Sequence, residues 1–262
     1  MAITLRSQKE VELMRKAGRV VASVLLKLKE VAEPGMTTAD LDTLATQMAG
    51  KAGAATLFKG VRSPHARQPF PGAICASVNN EVVHGIPSSQ MVLQEGDILS
   101  VDFGVRLDGY CGDSAFTIPI GQITPERQRL MDVTEQVLQI ALDNARPRVR
   151  WSQIAAKMQR YAEEAGYGVV RDFVGHGIGS QMHEEPKVPN FVSRELLADD
   201  IVLTQGMVLA IEPMVNAGTP AVRTLSNGWT VVTADGMDSA HFEHTVAITA
   251  DGCEALTSRD SL

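Results

Sequence analysis

Cysteine is scarce in this sequence: 3 among 262 residues, at Cys75, Cys111 and Cys253. An odd number without metal-cluster spacing excludes a disulfide framework and a structural zinc knuckle, and suits a reducing cytoplasm. An excess of positive charge is also missing. The formal net charge of -7 and pI near 5.4 argue against a general phosphate-binding surface and against direct nucleic-acid binding. No apolar run is long enough to span a membrane, the first residues carry no basic segment followed by an apolar core, and there is no low-complexity tract. The expectation is a cytoplasmic protein with no membrane partner. The remaining composition, 44% hydrophobic and 21% charged, is that of a globular chain able to bury one large core or two fused halves.

The stretch Ser100 to Ile118 organises the rest. Apolar residues run up to Asp102, Leu107-Asp108-Gly109 reads as a turn, and a second apolar run from Phe116 reads as the return strand of a hairpin. Asp102 lies between Val101 and Phe103 in a strand that looks buried, and Asp113 on the partner strand adds a second negative charge. Two acids facing each other in an apolar hairpin share a proton or a cation.

The arrangement recurs. Glu95 to Phe103 overlays Gln205 to Pro213, which sets Asp102 over Glu212, and Asp113 to Ile118 overlays Glu243 to Ile248. His84-Gly85-Ile86-Pro87 likewise resembles His183-Glu184-Glu185-Pro186. Four strand-borne carboxylates brought to a common axis are untenable without cations. Two hard divalent ions, held by oxygen-rich ligands with a nitrogen donor, balance the charge.

The helices repeat as well. Ser7-Gln8-Lys9-Glu10 has capping-box spacing before an apolar stripe from Met14 to Leu28, which Glu33-Pro34-Gly35 stops. Thr37 to Asp40 caps a second helix carrying Leu41, Leu44, Ala45 and Met48. Thr124-Pro125-Glu126 opens a third with Leu130, Val133, Val137 and Ile140, and a fourth runs from about Ser152 to Glu164 with Ile154, Ala155, Met158 and Tyr161. All four stripes are expected in the core. The proline-bearing section Phe58 to Gly72 reads as a loop, with His65 exposed on it. His176 lies between glycines, where the backbone must approach something closely. His241, two residues before Glu243, falls on its strand face as a supporting or a structural group, while His244 points the other way.

In order, Asp102, Asp113, His176-Gly177-Ile178-Gly179, Ile211-Glu212-Pro213 and Phe242-Glu243-His244-Thr245 resemble the methionine aminopeptidases of the pita-bread fold, in their short bacterial type I form. The likeness extends from Met14-Arg15-Lys16-Ala17-Gly18 to the final strand. It implies an α+β fold in which residues 1–262 form a single catalytic domain. Its two pseudo-symmetric halves, about 7–121 and 124–250, each pack a helix pair on antiparallel strands around a central metal site.

The resemblance also implies roles. Asp113 and Glu243 bridge two metals, Asp102 holds one, and His176 and Glu212 hold the other; the ions are cobalt, manganese, iron(II) or zinc. Glu212 is the general base for a metal-activated bridging water, His183 bonds the carbonyl oxygen as charge builds, and His84 contacts the scissile nitrogen. Phe70, Cys75, Met182 and Trp229 form the pocket for the first side chain, where a thioether packs against aromatic rings and sulfur. The implied substrates are N-terminal methionyl peptides and nascent chains at the ribosome with a small second residue, and the implied state is a monomer. This chain departs from the family pattern in two places. Val61 to Phe70 replaces the usual tyrosine-histidine-glycine segment, and Met182 stands where a phenylalanine is often found. Two alternatives stay open: an X-Pro aminopeptidase of the same fold, and a pita-bread protein that binds peptides without cleaving them.

Overall fold

A computed structural model describes residues 3–259. The first two residues of the stretch read as leaderless, Met1 and Ala2, lie outside the described residues. Helix α1 (Gln8–Val31) starts at the Ser7 capping box, in which the Ser7 hydroxyl accepts from the Glu10 N–H and the Glu10 carboxylate reaches back. The same box, Thr37 with Asp40, starts α2 (Thr38–Lys51). Thr124 caps α3 (Pro125–Asn144), with proline in the first turn where its missing N–H costs nothing. Helix α4 (Trp151–Glu164) begins at Arg150 with no local side-chain cap. Asp200 serves instead, accepting from the Ser152 N–H at 3.0 Å and the Ser152 hydroxyl at 2.6 Å.

The apolar stripes of α1 to α4 bury against the sheets, with Met14, Leu25, Leu28, Leu41 and Met158 all inaccessible. Tyr161 is the exception: it is 39% exposed, and Ala162 occupies the buried position beside it. At about 100° per residue, the stripe from Ile154 and Met158 continues to Ala162, which leaves Tyr161 at the solvent edge.

The hairpin expected at residues 100–118 is present, as strands Ile98–Leu107 and Tyr110–Pro119. Its two-residue turn has positive φ at both Asp108 and Gly109, the geometry that matches strand twist. Strand Ile74–Val78 pairs along the other edge of Ile98–Leu107, with Cys75 beside Asp102. Asp102 pairs with Ala115 and Asp113 with Gly104, so the two acids lie diagonally on one face and not directly opposite.

In the second half, strand Val208–Ile211 lies between His244–Ile248 and Gly175–Gly177 in a five-stranded antiparallel sheet. Glu212 follows the end of one strand and Glu243 precedes the start of the next, so these acids flank the strands instead of lying within them. Pro213 explains the break, since it has no N–H to continue a ladder.

The two sheets meet at the site. Thr245 Oγ1 accepts from Asp113 N–H at 3.0 Å and donates to Asp113 O at 2.7 Å. Glu243 N–H donates to Ala115 O at 2.9 Å. No helix among the described residues is long and apolar enough to cross a membrane.

Candidate metal centre and substrate pocket

One cavity of about 180 Å³ opens where the sheets meet, and Asp102, Asp113, His176, Glu212 and Glu243 all line it together with His84 and His183. Asp113, His176 and Glu243 each offer a ligand atom, all within 4.8 Å of one another. Glu212 adjoins this trio through His176, with Oε1 3.5 Å from His176 Nε2. Asp102 adjoins it through Asp113, on the same face of the hairpin and close enough that each carboxyl shifts the other.

His176 is placed by its neighbours. A Cβ on Gly175 would overlap the Ala210 carbonyl oxygen and one on Gly177 the Glu185 carbonyl oxygen, so only glycine lets this strand lie so close to its partners. The imidazole Nδ1 is 2.9 Å from Gly177 O. With that contact Nδ1 carries the proton and Nε2 is left as a donor for a cation. On the far side of Glu212, Asn190 donates to its backbone oxygen at 3.1 Å.

Without a cation the charges are unbalanced. Burial, then the charges of Asp113 and Glu212, raise the Asp102 carboxyl well above its ordinary value. Burial pushes Asp113 up to about 7. Glu212 and Glu243 are raised by burial and by the neighbouring acids. His176 is held down to about 4 by burial and by His183. One oxygen each of Asp102 and Asp113 is buried with no hydrogen-bond partner. An orphaned buried carboxylate oxygen costs several kcal/mol, of order 1–3 or more, unless an ion takes it. The donors are four carboxylates and an imidazole, a set that suits hard to borderline divalent metals. The residues therefore fit a divalent metal centre.

His84 follows strand Glu81–Val83 with φ of +59°, a conformation that imidazole side chains adopt more readily than most. This turns the ring into the cavity, edge-on to Phe173 at 5.4 Å. Burial, then His183, holds its pKa down to about 4, so it is neutral at pH 7. His183 is exposed, and its ring meets that of His176 at 4.3 Å. His241 is buried with Nε2 4.0 Å from Glu212 Oε2, although Phe242 and Glu243 interrupt the strand face that would have linked it to Glu243. His244 turns away to Thr257, 2.8 Å from its hydroxyl.

The opposite wall is apolar. Phe70, Cys75, Met182 and Trp229 line the cavity, with Phe70 and Trp229 edge to face at 5.3 Å. Cys75 is the register partner of Asp102, so pocket and acid cluster share one sheet face. The loop at residues 58–72 has no helix or strand, and His65 is exposed on it. Phe58 and Val61 from this loop also line the cavity. Neither they nor Phe173 and Asn190 were expected, because none stands in a periodic or repeated pattern.

A family model for metallopeptidase family M24 matches residues 12–250. A methionine aminopeptidase of Clostridium acetobutylicum is 49% identical over 97% of this chain and 98% of its own length. The crystal structure of a methionine aminopeptidase from Thermotoga maritima is similar with a TM-score of 0.92 at 40% identity, covering 98% of this chain and 100% of that one. A prolidase from Pyrococcus furiosus, with a TM-score of 0.77 at 20% identity, covers 97% of this chain and 65% of that one and shows the shared fold alone. That shared α+β architecture is the pita-bread fold.

Proposed function

The chain belongs to metallopeptidase family M24, and from that premise we propose that it removes the N-terminal methionine from peptides and nascent proteins whose second residue is small. The observation that carries this reading is the two-sided cavity. A cluster of acids and histidines, with Asp113 and Glu243 buried, forms one wall, and an apolar pocket of aromatic rings and sulfur forms the other.

Asp102, Asp113, His176, Glu212 and Glu243 would hold two divalent ions, with Asp113 and Glu243 shared between them. Bound there, the ions supply Lewis acidity toward the scissile carbonyl and a water acidic enough to attack at neutral pH. Glu212 would act as general base, accepting a proton from the attacking water. His183 donates a hydrogen bond to the carbonyl oxygen as negative charge builds, an interaction stronger in the transition state than in the ground state. His84, neutral at pH 7, contacts the scissile nitrogen and assists departure of the new amine. Phe70, Cys75, Met182 and Trp229 seat the methionine thioether. The substrate's free amine would lie near Asp102.

We read residues 1–262 as one catalytic domain of two repeated halves, 7–121 and 124–250. It acts as a monomer in the cytoplasm, where chains leave the ribosome. Manganese, cobalt, iron(II) or zinc suits the donor set.

The test is release of free methionine from Met-Ala-Ser, set against Leu-Ala-Ser and Ala-Pro-Ala, with metal-stripped protein before and after manganese or cobalt is added. Metal-dependent cleavage of the methionyl peptide alone is expected. Cleavage of the prolyl peptide instead would assign the chain to X-Pro hydrolysis, and metal binding without turnover would leave a peptide-binding role.

A further inference from the structure

The turn that carries Met182 and His183 is gripped from outside the site by the segment ahead of α1. Arg6 donates its backbone N–H to Gly206 O at 2.7 Å, and its side chain is only 8% exposed. The guanidinium bonds Glu184 through Nη2 and lies 3.7 Å from Glu10 through Nη1. Tyr110 donates to the same Glu10 oxygen at 2.9 Å. The other Glu184 oxygen accepts from Gln181 N–H at 3.0 Å. Glu184 therefore closes the turn on itself, and Arg6 fixes Glu184.

Room for this grip comes from Gly179, where a Cβ would fall inside the Arg6 guanidinium. Gly179 is the last residue of His176-Gly177-Ile178-Gly179. Its missing side chain thus serves Arg6, whereas that of Gly177 serves the strand pairing of His176. Residues 178–183 have no regular structure, and Gln181 and His183 are exposed. Backbone hydrogen bonds tie the first of these residues: Ile178 N–H to Val208 O at 3.1 Å, Cys111 N–H to Gly179 O at 2.8 Å and Gly179 N–H to Gln181 O at 3.0 Å. The Arg6–Glu184 contact bears on the part that follows, Met182 and His183, where a transition-state hydrogen bond needs close tolerance.

We propose that Arg6 is a positioning residue: through Glu184 it holds His183 against His176 and Met182 against the pocket wall. This rests on the aminopeptidase reading of the site. Arg6 touches no reacting atom, so its removal acts through the turn.

The experiment compares Arg6→Ala, Arg6→Lys and Gly179→Ala in the full chain. Gly179→Ala displaces the guanidinium while keeping its charge, and it serves as the second perturbation should Arg6→Ala fail to fold. Arg6→Ala and Gly179→Ala are expected to lower kcat about 10- to 100-fold at unchanged metal content, and to reduce the preference for methionine over norleucine at the first position. Arg6→Lys recovers most of both. In the metal-free protein, the imidazole carbon-bound proton resonance of His183 moves in Arg6→Ala and returns in Arg6→Lys, while that of His65 stays in place. An unmoved His183 resonance, or a loss of turnover that follows metal content and is not recovered by lysine, would overturn the proposal. If the wild-type protein fails to release methionine at all, the aminopeptidase reading fails, and the His183 resonance still decides the role of Arg6.

Discussion

Loading the metal-free protein with a divalent cation should expel protons, and the number follows from the site. With a pKa of about 7, Asp113 is half protonated at pH 7 and gives up roughly 0.5 proton when it binds a cation. Asp102, Glu212 and Glu243 are pushed upward by burial and by one another, and each adds at most one more. His176, held down to about 4, is already neutral and adds none. The expected release at pH 7 is thus between roughly 0.5 and 3.5 protons. It is read from calorimetric titrations of manganese into metal-stripped protein in buffers of different ionisation enthalpy. Binding at pH 7 with no proton release would refute the crowded-carboxylate account. The same shift has a stability consequence. Folded Asp113 keeps its proton up to about 7 where the unfolded chain releases it near 3.8, so the metal-free protein loses about 4 kcal/mol as pH rises across that window. His84 and His176 oppose this at lower pH: each resists protonation down to about 4, while the unfolded chain accepts the proton below 6.5. Above pH 7 the histidines are silent in both states. From pH 7 to 9 Asp113 adds only the last of its loss, so a further fall in the thermal midpoint of the metal-free protein reports protons still held by Asp102, Glu212 and Glu243, while the midpoint of the loaded protein stays nearly level.

Four substitutions test other parts of the site. Gly177→Ala forces a methyl group into the Glu185 carbonyl; it should destabilise the fold by about 1–3 kcal/mol in urea and weaken metal binding at least tenfold by displacing His176, and normal metal affinity would contradict it. His84→Ala should retain metal while kcat falls about 10²- to 10⁴-fold, whereas Asp113→Asn loses both; metal analysis of the purified variants separates the two cases, and a His84→Ala protein without metal would show that His84 is a ligand. Thr245→Val deletes a wholly buried hydroxyl that both donates to and accepts from the Asp113 backbone, at an expected cost of about 1–3 kcal/mol by chemical denaturation; a neutral effect would mean that the two sheets are joined by other contacts.

What could be read from the sequence was set by local chemistry. The boxes at Ser7 and Thr37, the Thr124-Pro125 start and the Asp108-Gly109 turn each need only neighbouring residues, and each lies where the spacing places it. Helix α4 is instructive by contrast: its start is held by Asp200, across 48 positions of chain, so no local signal could mark Trp151 as its first residue. The pocket divides in the same way. The acids recur in a repeated order and so stand out, but Phe58 and Val61 reach the cavity, and Phe173 packs on His84, from irregular backbone, where no period reports which way a side chain faces.

The two antiparallel strand pairs that carry the acids also differ in a way their overlay conceals. Gly96 and Gly206, equivalent in the overlay, have φ of +94° and +91° and begin the two halves alike. Yet Asp113 pairs with Gly104, two residues beyond Asp102, whereas the last pair between Val208–Ile211 and His244–Ile248, His244 with Ile211, brings Glu243 level with Glu212. The second pairing has slipped by two residues relative to the first. Side chains alternate with a period of two, so a slip of two keeps both acids on the inner face, while a slip of one would have turned Glu243 out of the cavity. The slip changes which acid lies beside which without removing any from the site. The chain order of the four acids therefore carried the composition of the cluster, whereas the register that decides their spacing is set by pairing between segments distant in the chain. That register runs unchanged across Pro213, from Ile211 with His244 to Met214 with His241, and Phe242 N–H donates to Pro213 O at 3.3 Å.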